Sequence, residues 1–357
     1  MTITRSKRKF SSIKNEDVEL DVANTESNAD FLLKTKIEEN NGIVKTESEK
    51  AFRNKIPESL ELPESFKEKH IPEFTTAINM ILKEDPSLYS IIVAQEFQAV
   101  LKTKWDQIRK STLQDFYQRL GISIIAQQIS GSAARSIEKK VIALLGDDQG
   151  KFPSYIKMNE LFRTDKDIKT NMRTCGLSVR KCDYIESLTD FFVSRGDELM
   201  DLIQQGLQNA EKEDFKLESS NDEEIISLLV DNIKGIGIWS ARMFLMSGLL
   251  RVDVFSGEDV GIARGFSIYA KDKVDIMQEM KLKVKERNVN GSQAKKKRKA
   301  KTTKKSQLGY YDIDVMEEYA SRFSPYKSVF MFVLWRISNP DICKTLMLEK
   351  EFLKKDM

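Results

Sequence analysis

The sequence predicts an all-α protein. Apolar residues return at helical spacing along most of the chain, as in Phe116, Leu120 and Ile124, then Ile137, Val141 and Leu145. Sustained strand alternation is missing. Helix-start signals also stand before two of the apolar runs, at Ser220-Asn221 and at Ser324-Pro325.

The elements follow in order. Residues 1–55 are rich in Lys, Glu, Asn, Ser and Thr, have few apolar periods, and read as a disordered tail. Residues 56–117 read as an N-terminal helical subdomain punctuated by Pro57, Pro63, Pro72 and Pro86, and residues 118–357 as a second domain. Within that domain the apolar run Ile122, Ile124, Ile125 gives way to Gln127 and Gln128, which break its pattern. Tyr184, Leu188, Phe191 and Phe192 mark a further helix, as do Val315, Tyr319 and Phe323. Ser324 reads as a cap with Pro325 at the first helical position, which places Trp335 about three turns into the last helix.

The most informative stretch lies between Asp231 and Phe266. Asn221 or Ser220 caps a segment, DEEIISLLVDNI, with one apolar face and an acidic first turn, as the helix dipole prefers. It should end near Lys234. Gly235 and Gly237 then permit positive φ and leave backbone N–H groups uncovered where the next helix, Trp239 to Leu250, begins. Unpaired amides at a helix N-terminus are an anion site. Glu258 and Asp259 follow in a loop, Asp259 standing 20 residues beyond Trp239, so a carboxylate and an aromatic ring can face one cleft beside a gripped phosphate. No G-x-G-x-x-G or G-K-[ST] is present, so no nucleotide cofactor is implied.

Composition excludes several classes. The longest apolar runs, Phe244–Leu250 and Val329–Trp335, fall far short of the roughly 20 residues of a membrane span, no signal-peptide h-region follows RSKRK, and a soluble protein is expected. His70 is the sole histidine, which disfavours a zinc deaminase site or a Ser-His-Asp triad. Three cysteines, Cys175, Cys182 and Cys343, suggest free thiols in a reducing compartment. The net charge of +3 hides segregation: Lys281 to Lys305 carries twelve basic residues against one acidic, leaving −8 for the rest. Residues 281–307 therefore read as a disordered basic loop. Its KKKRKAKTTKK resembles a nuclear localisation signal and would also attract DNA phosphates.

The order apolar helix, G-I-G-x-W, apolar helix, D-V-F-x-x-E-D-x-x-I-x-R-x-F resembles the helix-hairpin-helix DNA glycosylases, and within them the 3-methyladenine DNA glycosylase II group, fungal members above all. Ile124–Ala134 (IIAQQISGSAA), Cys175–Lys181 (CGLSVRK) and Ser324–Arg336 (SPYKSVFMFVLWR) agree in the same chain order, and the likeness runs from about Ile56 to Phe352.

That resemblance implies a two-layer helical DNA glycosylase fold with a helix-hairpin-helix and a catalytic aspartate loop, flanked by a disordered tail and interrupted by the basic insertion. It implies an enzyme, expected as a monomer, that acts on alkylated bases in double-stranded DNA; the basic segment's likeness to an import signal adds nuclear import machinery as an expected partner and the nucleus as the expected place. Asp259 matches the catalytic aspartate; a carboxylate near C1′ stabilises the positive charge that develops as the N-glycosidic bond breaks. Glu258 matches a non-catalytic position and reads as a solvated carboxylate, and Asp253 is a weaker rival. Gln128, with Gln127 beside it, matches the residue wedged into the gap that a flipped base leaves. Trp239 and Trp335 match positions of the base pocket, where an aromatic face attracts a cationic alkylpurine by about 0.5–2 kcal/mol. Met243 stands where some relatives carry an aromatic residue and Val260 follows the aspartate, so the substrate range does not transfer. Gly235 and Gly237 would hold phosphate, aided by a Na+ or K+ ion on the backbone carbonyls of Asp231, Ile233 and Ile236, with no other cofactor.

Lyase-active members carry a lysine after the hairpin glycines, where this chain has Trp239, so a monofunctional enzyme is expected. The cysteines do not supply the four ligands of an iron–sulfur cluster. The rival readings are a glycosylase for deaminated or oxidised bases, a bifunctional lyase, and a hairpin-based DNA binder without catalysis.

Overall fold

The computed structural model describes residues 57–103, 110–147, 150–212, 221–290 and 312–339. The tail 1–55, the basic residues 291–307 and Cys343 lie outside the described residues. Among those described there are fourteen α-helices, three short 3-10 turns and no strand beyond one isolated bridge between His70 and Leu101. The all-α expectation holds.

Local chemistry sets many helix starts. α1 (Glu64–Lys69), α2 (Pro72–Glu84) and α3 (Tyr89–Val93) come first, with Pro72 at the first position of α2. α4 (Leu113–Ala126) opens on a capping box: Thr112 Oγ1 accepts from Asp115 N, and Asp115 Oδ2 accepts from Thr112 N at 2.7 Å. Ser130 caps α5 (Gly131–Leu145) and Ser154 caps α6 (Tyr155–Thr164). α7 (Ile168–Thr174), the long α8 (Val179–Lys212), α9 (Asp222–Asn232) and α10 (Ile238–Gly248) follow. The last four are α11 (Val260–Tyr269), α12 (Val274–Asn290), α13 (Ile313–Ala320) and α14 (Lys327–Ser338).

Two hydrophobic cores organise these helices. The first joins α4 to α10 around Tyr117, Leu120, Leu188, Phe192, Leu229 and Leu245. The second joins α1–α3 to α11–α14 around Ile78, Leu88, Phe266, Phe330 and Leu334. The division expected at residue 117 thus differs from the packing. Residues 62–100 bury their apolar faces against α11–α14, far later in the chain, and α4 opens the other core. Arg336 ties the second core together. Its guanidinium donates to the carbonyls of Ile91, Ile92 and Glu96 and lies 3.4 Å from the centre of the Phe97 ring, and burial pulls its pKa down to about 9.

Three local expectations are corrected. Residues 281–290, assigned to a disordered basic loop, belong to α12, because Met277, Met280 and Val284 form an apolar stripe beneath the lysines and are buried in the second core. Ser324 does not cap α14. The Ser324–Pro325 bond is cis, Ser324 Oγ donates to Asp253 Oδ2 at 2.8 Å, and Asp253 Oδ1 accepts from Lys327 N at 3.2 Å. Asp253 is therefore the cap of α14, supplied from the loop after α10, and Trp335 sits eight residues in, little more than two turns. Asn221 precedes α9 but its amide donates to the Leu202 carbonyl instead of its Oδ1 accepting from the first turn.

No helix among the described residues is long and apolar enough to cross a membrane.

Candidate active site

α9 and α10 are joined by the turn Ile233–Gly237, with Ile233 and Ile236 buried so that its peptide groups are held in place. Gly235 has φ +83°, and a Cβ there would come within 2.3 Å of the Tyr184 ring. Both backbone and packing demand glycine. Gly237 differs from expectation: it is extended (φ −106°, ψ 180°) and a Cβ would meet nothing within 4 Å. Its contribution is open space in front of the N–H groups of the first turn of α10, the arrangement an anion site needs. The carbonyls of Ile233 and Ile236 belong to this fixed turn and that of Asp231 to the last turn of α9, and oxygen donors of that kind suit a hard monovalent cation; Ile233 O also accepts from Ile236 N at 3.2 Å.

Asp259 is the N-cap of α11. Its Oδ1 accepts from Ile262 N at 2.9 Å, so its carboxylate sits at the positive end of a helix. The two expected pocket tryptophans converge on it from two helices, α10 and α14. Trp335 Nε1 on α14 donates to Oδ1 at 2.8 Å, and Trp239 Nε1 on the first turn of α10 donates to Oδ2 at 3.1 Å. Asp259 is 9% exposed and Trp239 39%. The structure thus gathers Asp259, Trp239 and Trp335 into one cluster at the seam between the two cores.

Two glycines that sequence reasoning passed over make this approach possible. A Cβ on Gly261 would lie 2.9 Å from Trp335 Cδ1 and 3.1 Å from Asp259 Oδ1. One turn later, a Cβ on Gly265 would lie 2.0 Å from the Leu334 carbonyl oxygen. α11 and α14 therefore cross backbone to backbone beneath the carboxylate. The small-residue spacing of Gly261 and Gly265 was the available signal, but its partner helix was not.

The glutamine pair separates into two roles. α4 ends at Ala126, and Gln127, half-buried, sends its Nε2 to the Gly235 carbonyl at 2.9 Å. Gln128 is exposed and left-handed, with φ +60°. Gln127 is engaged with the turn and does not project as a wedge; Gln128 is the one of the two that stands clear. Lys181, from the CGLSVRK segment, braces the same region by donating to the Ile125 carbonyl at 2.6 Å, and burial lowers its pKa.

Glu258 is not simply solvated. Its carboxylate is paired with Arg242 and accepts from Ser256 Oγ at 2.9 Å. Cys175 and Cys182 are buried free thiols, and among the described residues no cluster of three or more His, Cys, Asp or Glu could hold a metal ion.

No family model matches the chain. It is 42% identical over 298 residues to a DNA-3-methyladenine glycosylase of Saccharomyces cerevisiae, covering 84% of this chain and 91% of that protein. It is 30% identical over 150 residues to DNA-3-methyladenine glycosylase 1 of Schizosaccharomyces pombe, covering 42% and 56% of the two chains. Among solved structures, the DNA-3-methyladenine glycosidase of Bacillus halodurans is similar with a TM-score of 0.44 and 24% identity, over 74% of this chain and 90% of that one. With two fifths of the residues shared across nearly the whole of the Saccharomyces protein, the chain belongs to the DNA-3-methyladenine glycosylase family.

Proposed function

We propose that the chain is a monofunctional DNA glycosylase that flips alkylated purines such as 3-methyladenine and 7-methylguanine out of duplex DNA and hydrolyses their N-glycosidic bond. The observation that carries this reading is the position of Asp259, a carboxylate fixed by one helix N-terminus and two indole N–H groups.

The chemistry asks little beyond this. Alkylation leaves the base cationic, so when the C1′–N bond breaks the bonding pair returns to the base and neutralises it, while positive charge develops at the sugar. Asp259 offers negative charge to that sugar, and its three donors keep it from reorganising as the charge appears. Water adds to C1′ and its proton leaves to Asp259 or solvent. Trp239 and Trp335 present aromatic faces that favour a cationic base over a neutral one. Gln128 fills the vacated stack, and the amides after Gly235 and Gly237 hold a phosphate. The carbonyls of Asp231, Ile233 and Ile236 would hold a monovalent cation there, adding positive charge opposite the phosphate. Trp239 occupies the position at which a Schiff-base lysine would stand, so the product is an abasic site.

We further propose that the protein acts as a monomer in the nucleus, with the basic segment after α12 as its import signal. Moving a reporter into the nucleus with residues 291–307, and losing that on Lys-to-Ala replacement, would support it; a cytoplasmic reporter would not.

The catalytic reading is tested by release of free bases from methylated duplex DNA. Asp259→Asn should cut release by on the order of 100-fold or more, with binding to abasic duplex retained. Strand breaks should appear in the native product only after alkali. Undiminished release by the variant would remove Asp259 from the mechanism, and breaks without alkali would make the enzyme a lyase.

A further inference from the structure

α10 carries two donors one turn apart. Trp239 donates to Asp259, and Arg242, on the same face three residues later, donates from Nη1 to Glu258 Oε2 at 3.2 Å and to Glu317 Oε1 on α13 at 3.0 Å. Consecutive carboxylates of the catalytic loop are therefore each held by the same helix. Glu258 is held a second time by Ser256 Oγ.

This arrangement meets an electrostatic problem. The loop and α13 bring Glu258 and Glu317 to the neighbourhood of Asp259, and a polyanionic duplex must approach the same place. Glu258 and Glu317 retain side-chain exposures of 36% and 34%, so their charge reaches the solvent side, while Arg242 is more enclosed at 22%. One guanidinium contacting two carboxylates removes part of their repulsion for DNA. It also fixes where Glu258 points. A Glu258 side chain free to rotate could approach the sugar or the Asp259 carboxylate and disturb the charge placed there.

We infer that Arg242 is a positioning residue for base release: it holds Glu258 toward α13 and offsets the Glu258–Glu317 charge, leaving Asp259 as the carboxylate that faces the sugar. The inference rests on Asp259 being the catalytic carboxylate. Arg242 itself touches neither the reacting atoms nor Asp259 in this network. Sequence reading did not reach it, because an arginine in an apolar helix carries no sign of which carboxylates it will meet.

The test is single-turnover release of 7-methylguanine from duplex DNA, with the maximal rate and the half-saturating enzyme concentration measured separately. Arg242→Gln should lower the maximal rate about tenfold and raise the half-saturating concentration several-fold, the second effect shrinking as salt is raised. Arg242→Lys, which keeps the charge, should lose less of both. The decisive variant is R242Q/E258Q/E317Q, in which no uncompensated carboxylate remains; it should recover at least half of the logarithmic loss in each quantity. An Arg that merely braces α13 predicts the opposite, since the triple variant lacks the same contacts and would be as impaired as R242Q. That result, or an R242Q chain indistinguishable from native, overturns the inference. If R242Q does not fold, E258Q/E317Q against R242K decides it: the chain lacking both glutamates must bind duplex at least as tightly as R242K. Asp259→Asn run alongside separates the two readings, because native-like release by that variant would locate the failure in the catalytic assignment.

Discussion

The side-chain amide of Gln127 lies 2.9 Å from the carbonyl of Gly235, 108 residues later, and joins the turn that carries Gln128 to the turn between α9 and α10. Two segments expected to touch different parts of the duplex are thereby one unit. Losing a single hydrogen bond of this kind costs about 0.5–1.5 kcal/mol. Gln127→Ala should reduce release of alkylated bases from duplex DNA about three- to tenfold, and should reduce it less from single-stranded DNA, where no stack has to be filled. Equal losses on both substrates, measured by base release, would assign Gln127 to general stability instead.

Trp335 has two separable properties, an aromatic face and an N–H aimed at Asp259 Oδ1. Trp335→Phe keeps much of the first and removes the second. A hydrogen bond to a charged group contributes about 1.5–3 kcal/mol, so the maximal single-turnover rate should fall by roughly one to two orders of magnitude with a smaller change in half-saturation. If the rate is unchanged and only lesion preference shifts, the ring alone matters.

Most helices of the site were legible in the sequence; the reasons they meet were not. Apolar periodicity located α4, α5, α9 and α10 because it depends on neighbours within two turns, the G-I-G-x-W and E-D motifs located Trp239 and Asp259, and α11, which Asp259 caps, went unread behind its loop. Long-range partnerships broke the local signals. Ser324-Pro325 looks like a helix start, yet the cap of α14 comes from Asp253, 74 residues upstream of Lys327. The lysines of α12 drew attention from Met277, Met280 and Val284, whose spacing was readable. Gln127 and Gln128 looked equivalent until one of them found Gly235.

Gly265 is the tightest point of the fold around the site. An added methyl would sit 2.0 Å from the Leu334 carbonyl oxygen, a backbone atom that cannot move without shifting α14 and with it Trp335. Overpacking typically costs about 1–3 kcal/mol, and backbone contact belongs at the upper end or beyond. Gly265→Ala should lower the melting temperature by several degrees and reduce base release more than the loss of folded protein accounts for. Gly261→Ala meets the movable Trp335 ring at 2.9 Å and should instead cost activity with a smaller change in melting. Thermal melts and active-site titration of both variants would check the contrast.

His70 supplies a pH dependence that belongs to the fold and not to the chemistry. Its ring is fully buried; Nδ1 donates to the Phe66 carbonyl at 2.7 Å, and Nε2 accepts from Phe97 N at 2.9 Å. That pair of bonds requires the neutral ring. Burial lowers its pKa below the ordinary value of 6.5, with Arg336 and Lys69 adding to the effect against the opposing pull of the Phe66 carbonyl and Glu96. In the unfolded chain the ring takes up a proton near pH 6.5, while in the folded chain it does so only at lower pH. Between those two values the unfolded state binds more protons, so stability falls as pH drops below about 6.5 and levels off once the folded pKa is passed. Above neutrality the term vanishes. His70→Gln can still donate to Phe66 and accept from Phe97, and it does not titrate. Urea melts of both chains between about pH 5 and 7.5 should show native stability declining relative to the variant as acid is added, with parallel curves above neutrality. As the chain has one histidine, parallel curves throughout would mean that the folded ring titrates as it does in the unfolded chain.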